Sequence, residues 1–171
     1  MKQLNWATLG CGVIANELAH AFSREGRTLY SVANRTHEKA VAFAQKYGIS
    51  KVYDNIDDVF YDPDVDIIYI STPHNTHINY LRKALSNGKH VLCEKSITLN
   101  IAELDEAVSL AKENNVILAE AMTIYHMPLY RKLKEIINSG NLGYLQLVQM
   151  NFGSYKEYDM TNRFFSRNLA G

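Results

Sequence analysis

Four short groups of residues could do chemistry. The first is "GCGVIA", which sets Gly10, Gly12 and Ala15 in a G-x-G-x-x-A array. Gly10 permits a tight turn, Gly12 lets a pyrophosphate approach the backbone, and Ala15 lets a helix pack closely. Val13 and Ile14 complete the turn, and the amides of the helix start would face the phosphates. The second group is "ANRTHEK". Where an enzyme selecting NAD places Asp or Glu for the ribose 2′-hydroxyl, Asn34 stands, followed by Arg35, Thr36 and, one turn on, Lys39. A carboxylate would repel a 2′-phosphate, whereas Arg35 can grip one with two donors, so NADP is favoured over NAD. The bland alternative is that Arg35 stacks on the adenine or is solvated. The third group is "STPHNTH": Thr72-Pro73 turns the chain, Asn75 or Thr76 starts a helix, and His74 and His77 lie near the crevice. His74 reads as an ordinary helix-start residue. Neither histidine has a carboxylate or cysteine partner at a ligand spacing, so no metal site is expected. The fourth group is Glu94-Lys95, an acid and a base at the tip of the apolar run Val91-Leu92-Cys93. A lysine there could hydrogen-bond a substrate hydroxyl beside a nicotinamide, with Glu94 orienting it or binding the cofactor ribose. As an isolated surface ion pair the two would contribute little.

The elements that must position these groups alternate. Asn5 to Leu9, Thr28 to Ala33, Val52-Tyr53, Ile67 to Ile70, Val91 to Cys93 and Val116 to Ala119 read as short buried strands. Between them run helical patterns. Ile14, Leu18 and Phe22 recur every four residues, and Ala40, Phe43, Ala44 and Tyr47 form a second stripe. Ile78, Leu81 and Leu85 mark a third helix. Asn100 with Glu103 predicts a capping box at the head of a further helix that buries Leu104, Ala107, Val108 and Ala111. Thr36 is expected to cap the second helix. This alternation predicts an α/β fold, a Rossmann-type doubly wound parallel sheet, whose ligands bind outside the carboxyl ends of the strands. Near Ala121 the rhythm changes: Leu129 to Ile137 is helical, and Leu142 to Phe152 alternates as a strand of an antiparallel sheet does. The expected division is a nucleotide-binding domain over 1–120 and the start of an α+β domain over 121–171.

Composition narrows the partners. The 171 residues carry 18 Lys+Arg and 18 Asp+Glu, a net charge of zero, which argues against nucleic acid or an anionic membrane. No apolar run is long enough for a membrane span, and the N-terminus lacks the pattern of a signal peptide. Two cysteines, Cys11 and Cys93, read as reduced thiols in a cytoplasmic protein.

With these motifs the chain resembles the Gfo/Idh/MocA oxidoreductases, named for glucose–fructose oxidoreductase and inositol dehydrogenase. "GCGVIA", "ANRTHEKAVAFAQKYG", "ISTPHNTH", "GKHVLCEKSITLN" and "EAMTIYHMP" carry the resemblance. It implies a dehydrogenase that moves a hydride between NAD or NADP and a carbon of a sugar, inositol or related diol, in a homo-oligomer. The family's Glu-Lys-Pro motif falls on Glu94, Lys95 and Ser96, and its lysine serves both substrate and nicotinamide. Lys95 is therefore the expected catalytic residue. Tyr125 and His126 either reach substrate or pack at a domain junction. Ala33-Asn34-Arg35 and the closing "LAG" are similar to the NADP-linked dihydrodiol and xylose dehydrogenase branch. Ser96 departs from the proline, and a serine takes the cis form only at a cost of about 2.5–4 kcal/mol, so Lys95 is expected to sit slightly differently. The family continues past "RNLAG" into its acid–base group, so this chain is expected to bind NADP(H) without turnover. Two other readings stand beside this one. A non-catalytic NADP-binding sensor has the same motifs. A sheet that binds S-adenosylmethionine would favour an acid after the second strand and leaves Glu94-Lys95 without a task.

Overall fold

A computed structural model describes residues 3–161 and residue 165. The closing "RNLAG" lies outside the described residues. The elements run β1 (Trp6–Leu9), α1 (Val13–Arg24), β2 (Ser31–Ala33), α2 (His37–Tyr47), β3 (Lys51–Val52), α3 (Asp58–Tyr61) and β4 (Ile67–Ile70). After a 3-10 turn at His74–Thr76 come α4 (His77–Ser86), β5 (His90–Cys93), α5 (Ile101–Glu113) and β6 (Leu118–Glu120). A second 3-10 turn, Thr123–His126, leads into α6 (Pro128–Asn138).

The six strands form one sheet in the order β3-β2-β1-β4-β5-β6. Every pairing is parallel. The order reverses between β1 and β4, which places a crevice at their carboxyl ends. Two apolar clusters cover the sheet. Ala15, Ala19 and Phe22 of α1 pack with Phe43 and Ala44 of α2 and with Val32. Phe60, Leu81, Leu85, Ala107 and Ala111 pack with Ile68 and Ile70. Burying side chains of the size of Leu or Phe stabilises by about 1.5–3 kcal/mol each, against about 1 kcal/mol for a helix cap. Burial therefore decides where the helices lie.

The sequence-based elements hold with local differences. Thr36 occupies the N-cap of α2, but its hydroxyl accepts no helix amide; that helix rests on its buried stripe. The capping box at α5 forms: Glu103 N donates to Asn100 Oδ1 at 3.0 Å, and Leu99 N donates to Glu103 Oε2 at 3.0 Å. Strand β6 starts two residues later than expected, because Asn115 takes a positive φ and the Ile117 amide donates to His90 Nδ1 instead of joining the ladder. The expected strand over Leu142 to Phe152 is not formed. Its residues are exposed and pair with no strand among the described residues, and an extended segment without a hydrogen-bonded neighbour is not a strand. The apolar residues of α6 are not buried either. Among the described residues, no helix is long and apolar enough to cross a membrane.

A polar cluster ties β3 to the approach to β4. Asp62, with its side chain 3% exposed, accepts from Lys51 Nζ at 2.6 Å and from Tyr53 Oη at 2.5 Å. Burial pushes the Asp62 carboxyl up, but the bonds from Lys51, Tyr53 and the Asp64 amide together hold it below its ordinary value. A depressed carboxyl contributes stability that is fully present above its unfolded value of about 4 and is lost as pH falls through the folded value. Asp62→Asn should therefore lower stability at neutral pH by about 1–3 kcal/mol. It should also reduce the loss of stability of the parent protein below about pH 4. Urea denaturation of both proteins at neutral and acid pH measures both effects.

Candidate functional site

Each strand on the crevice side passes its last hydrogen bond to a residue at its neighbour's tip. Gly10 N donates to Ala33 O at 2.8 Å, Ser71 N to Leu9 O at 2.9 Å, Glu94 N to Ile70 O at 2.9 Å and Ala121 N to Cys93 O at 2.7 Å. Gly10, Ser71, Glu94 and Ala121 thus step along one edge, and the residues after them form its rim.

Gly10 has a φ of +102°, and a Cβ there would lie 2.9 Å from Ser71 Oγ and 3.1 Å from Ser71 O. Both facts require glycine. Thr8 Oγ1 donates to the Gly10 carbonyl at 3.0 Å and fixes the turn from beneath. Gly12 differs: a Cβ there would meet nothing within 4 Å. Its lack of a side chain leaves open space in front of the α1 N-terminus, where unpaired helix amides suit a phosphate group. Ala15 is fully buried beneath that helix. It supports the turn by packing and has no exposed surface for a ligand.

A cleft of about 450 Å3 opens at this edge. Of the residues singled out from sequence, Gly10, Gly12, Val13, Ile14, Asn34, Arg35 and Thr36 line it, with Lys39, Thr72 and Pro73. Cys11, Ile56, Ser71, Thr76 and Tyr80 line it too. Ile56 and Tyr80 come from a loop and from the middle of α4, where sequence spacing carries no signal for the site. Ser71 could have been found as the residue that follows β4. Asn34 Nδ2 donates to Thr36 O at 2.9 Å, so the side chain at the β2 tip is held by its own turn. Arg35 is exposed and makes no hydrogen bond or ion pair among the described residues. Burial pushes the Cys11 thiol up, against the pull of Lys39.

The third group divides. Thr76 Oγ1 donates to Pro73 O at 2.6 Å and also bonds Thr72 Oγ1 at 2.9 Å, closing the turn. Asn75 is exposed and does not line the cleft. His77, expected at the cofactor, is fully buried. Its Nδ1 lies 2.9 Å from Ser96 O and its Nε2 2.9 Å from Thr72 O. Neither ring nitrogen is left for a ligand, because each faces a backbone carbonyl inside the fold.

At the fourth group the acid and the base do not pair with each other. Half-buried Glu94 accepts from Tyr69 Oη at 2.5 Å. Burial first, then Glu94, pushes the Tyr69 phenol far above its ordinary value, so it stays a donor. Lys95 is exposed, with no hydrogen bond or ion pair among the described residues. The Lys95–Ser96 peptide is cis. Cys93, directly before Glu94, is buried, and burial together with Glu94 and Glu120 keeps its thiol neutral. Tyr125 and His126 are exposed on the second 3-10 turn. They pack into no junction among the described residues. No group of three His, Cys, Asp or Glu side chains among the described residues could hold a metal ion.

Known proteins resemble this chain in sequence and fold. The Gfo/Idh/MocA family model, described as an oxidoreductase family with an NAD-binding Rossmann fold, matches residues 4–122. Trans-1,2-dihydrobenzene-1,2-diol dehydrogenase of Mus musculus is 34% identical over 153 residues, which is 88% of this chain and 46% of the mouse protein. The Xenopus tropicalis enzyme of the same name is 31% identical, over 86% of this chain and 46% of its own length. The chain thus spans about half the length of these relatives. Among solved structures, a single-residue mutant of the 3-ketoreductase KijD10 of Actinomadura kijaniata, in complex with TDP-benzene and NADP, superposes with a TM-score of 0.75 at 25% identity. That match covers 82% of this chain and 43% of KijD10. Myo-inositol 2-dehydrogenase of Lactobacillus plantarum gives a TM-score of 0.75 at 25% identity, covering 83% of this chain and 43% of its own.

Gly10→Ala tests the turn. The alanine must hold a strained φ and displace Ser71, so folding stability should fall by about 1–3 kcal/mol. Nucleotide affinity should fall with it, as read by urea denaturation and by titration with NADPH.

Proposed function

The chain belongs to the Gfo/Idh/MocA oxidoreductases, and from that premise we propose that its cleft binds NADP(H) in preference to NAD(H). We propose further that the protein transfers a hydride to or from a carbon of a sugar, inositol or related diol. The observation that carries the cofactor reading is the β2 tip: Asn34 in the place of an acid, its amide tied to Thr36 O, with Arg35 and Lys39 both lining the cleft. A 2′-phosphate brings two negative charges to two cations that have no ion-pair partner among the described residues, and Arg35 can bind it with parallel N–H donors. The open space at Gly12 fits a pyrophosphate against the α1 amides. Thr72 and Pro73 line the same cleft.

When bound, the nicotinamide supplies the hydride acceptor or donor. The chain's own residues bind and orient. Ser71 and Gly10 hold the strand tips together, while the α1 amides and Arg35 bind the dinucleotide's charged groups. Lys95 presents an ammonium with three donors that no carboxylate among the described residues neutralises, suited to hold a substrate hydroxyl. The relatives named for dihydrodiol and inositol oxidation support a vicinal diol or cyclic polyol as the substrate class. The exposed apolar side chains of α6 and of residues 142–152 support self-association into a homo-oligomer. The free thiols of Cys11 and Cys93 support a reducing, cytoplasmic setting.

Fluorescence titration tests the cofactor assignment. NADPH should bind at least about tenfold more tightly than NADH, a difference of about 1.4 kcal/mol. Arg35→Ala should remove most of that preference while leaving NADH affinity nearly unchanged. Equal affinity for the two cofactors in the parent protein would overturn the assignment.

A further inference from the structure

We propose that Tyr69, His77 and Glu120 are positioning residues that together hold the Lys95 turn, and that they act on the bound nucleotide through Lys95. The proposal rests on the cofactor reading of the cleft. Lys95 follows the last ladder bond of β5, the bond from Glu94 N to Ile70 O. Beyond that bond the turn has no strand to direct it, and the Lys95 ammonium has no partner among the described residues. The backbone therefore sets the point from which the side chain leaves the turn.

Three side chains from three different elements hold that backbone and its neighbours. From β4, Tyr69 Oη donates to Glu94 Oε1 at 2.5 Å, so the carboxylate is engaged there, and the Lys95 ammonium has no counter-ion among the described residues. From the first turn of α4, the buried His77 ring reaches the Ser96 carbonyl at 2.9 Å on one side and the Thr72 carbonyl at 2.9 Å on the other. Thr72 lines the cleft, so this ring joins the cleft wall to the residue after Lys95. From the tip of β6, Glu120 Oε1 accepts from the Ile97 amide at 3.0 Å. The residue before Lys95, the residue after it and the one beyond are each tied down, and Lys95 alone is left to reach outward. None of the three holding side chains lines the cleft. A direct contact with the adenosine half of a dinucleotide is thereby not their role.

Glu120 is the residue to change, because it is exposed and its loss should leave the fold intact. The experiment compares the parent chain with Glu120→Ala, Glu120→Gln, Lys95→Met and the double variant Glu120→Ala/Lys95→Met. Exchange of the Ile97 amide is followed by NMR, and the dissociation constants of NADPH and of 2′,5′-ADP, which lacks the nicotinamide, are measured. Glu120→Ala should speed Ile97 exchange by about tenfold or more. It should weaken NADPH by about fivefold with 2′,5′-ADP unchanged, and add no further loss in the Lys95→Met background. Glu120→Gln, which keeps an acceptor oxygen, should restore both properties. Unchanged Ile97 exchange, equal weakening of both nucleotides, or full additivity with Lys95→Met would each overturn the proposal. If the parent chain binds neither nucleotide, the cofactor reading fails and takes the link to Lys95 with it. The Ile97 exchange rate then still reports whether the turn is held by Glu120.

Discussion

Position 10 tolerates no side chain. Its φ of +102° excludes ordinary residues, and the Ser71 backbone approaches so closely that a Cβ would sit 3.1 Å from its carbonyl oxygen. This contact joins the tips of β1 and β4 at the point where the strand order reverses, and the rest of the site is laid out from it. The turn that leaves Gly10 starts α1 with its amides facing the cleft. The ladder bond from Gly10 to Ala33 sets the β2 tip, and with it Arg35 and Lys39, on one side. The bonds from Ser71 to Leu9 and from Glu94 to Ile70 carry the edge the other way, to Lys95. One crowded contact thus orders a phosphate turn, a pair of cations and a lysine along a single rim.

The acid and base at the end of β5 do not pair with each other among the described residues. A solvated pair of this kind would be worth about 0–1 kcal/mol and would place neither partner. Here Glu94 is engaged by a buried phenol, a charge-assisted bond in a partly desolvated setting, where hydrogen bonds to charged groups contribute about 1.5–3 kcal/mol. The bond from the phenol is the stronger of the two and decides the geometry, so Glu94 turns to Tyr69 and Lys95 is released. The lysine's use then depends on how its backbone is held, which returns to the contacts made by His77 and Glu120.

Much of this was legible in the sequence, for physical reasons. Short apolar runs bounded by glycines, with helix-period stripes between them, leave few alternatives to a parallel sheet. The Asn100–Glu103 cap was legible because both its partners are local. The glycine turn and the place of Arg35 at the cleft were legible because each follows from a single position at a strand tip. Contacts between distant elements were not. Tyr69 reads as one more apolar strand residue until its hydroxyl is seen to reach Glu94. His77 has the composition of a ligand-facing residue but turns inward, since both its partners are carbonyls of loops 5 and 19 residues away. Glu120 carried no local signal, because its partner, the Ile97 amide, is 23 residues back. Leu142 to Phe152 shows the opposite failure: strand periodicity is present, but a strand exists only with a neighbour to pair with.

The most direct test of the account is a crystal structure of the protein with NADPH. In that crystal the pyrophosphate should lie against the backbone of Gly12 and Val13, the 2′-phosphate on the Arg35 guanidinium, and the nicotinamide within reach of the Lys95 ammonium. A dinucleotide bound with its 2′-phosphate away from Arg35, or with its nicotinamide directed away from the β5 tip, would contradict it.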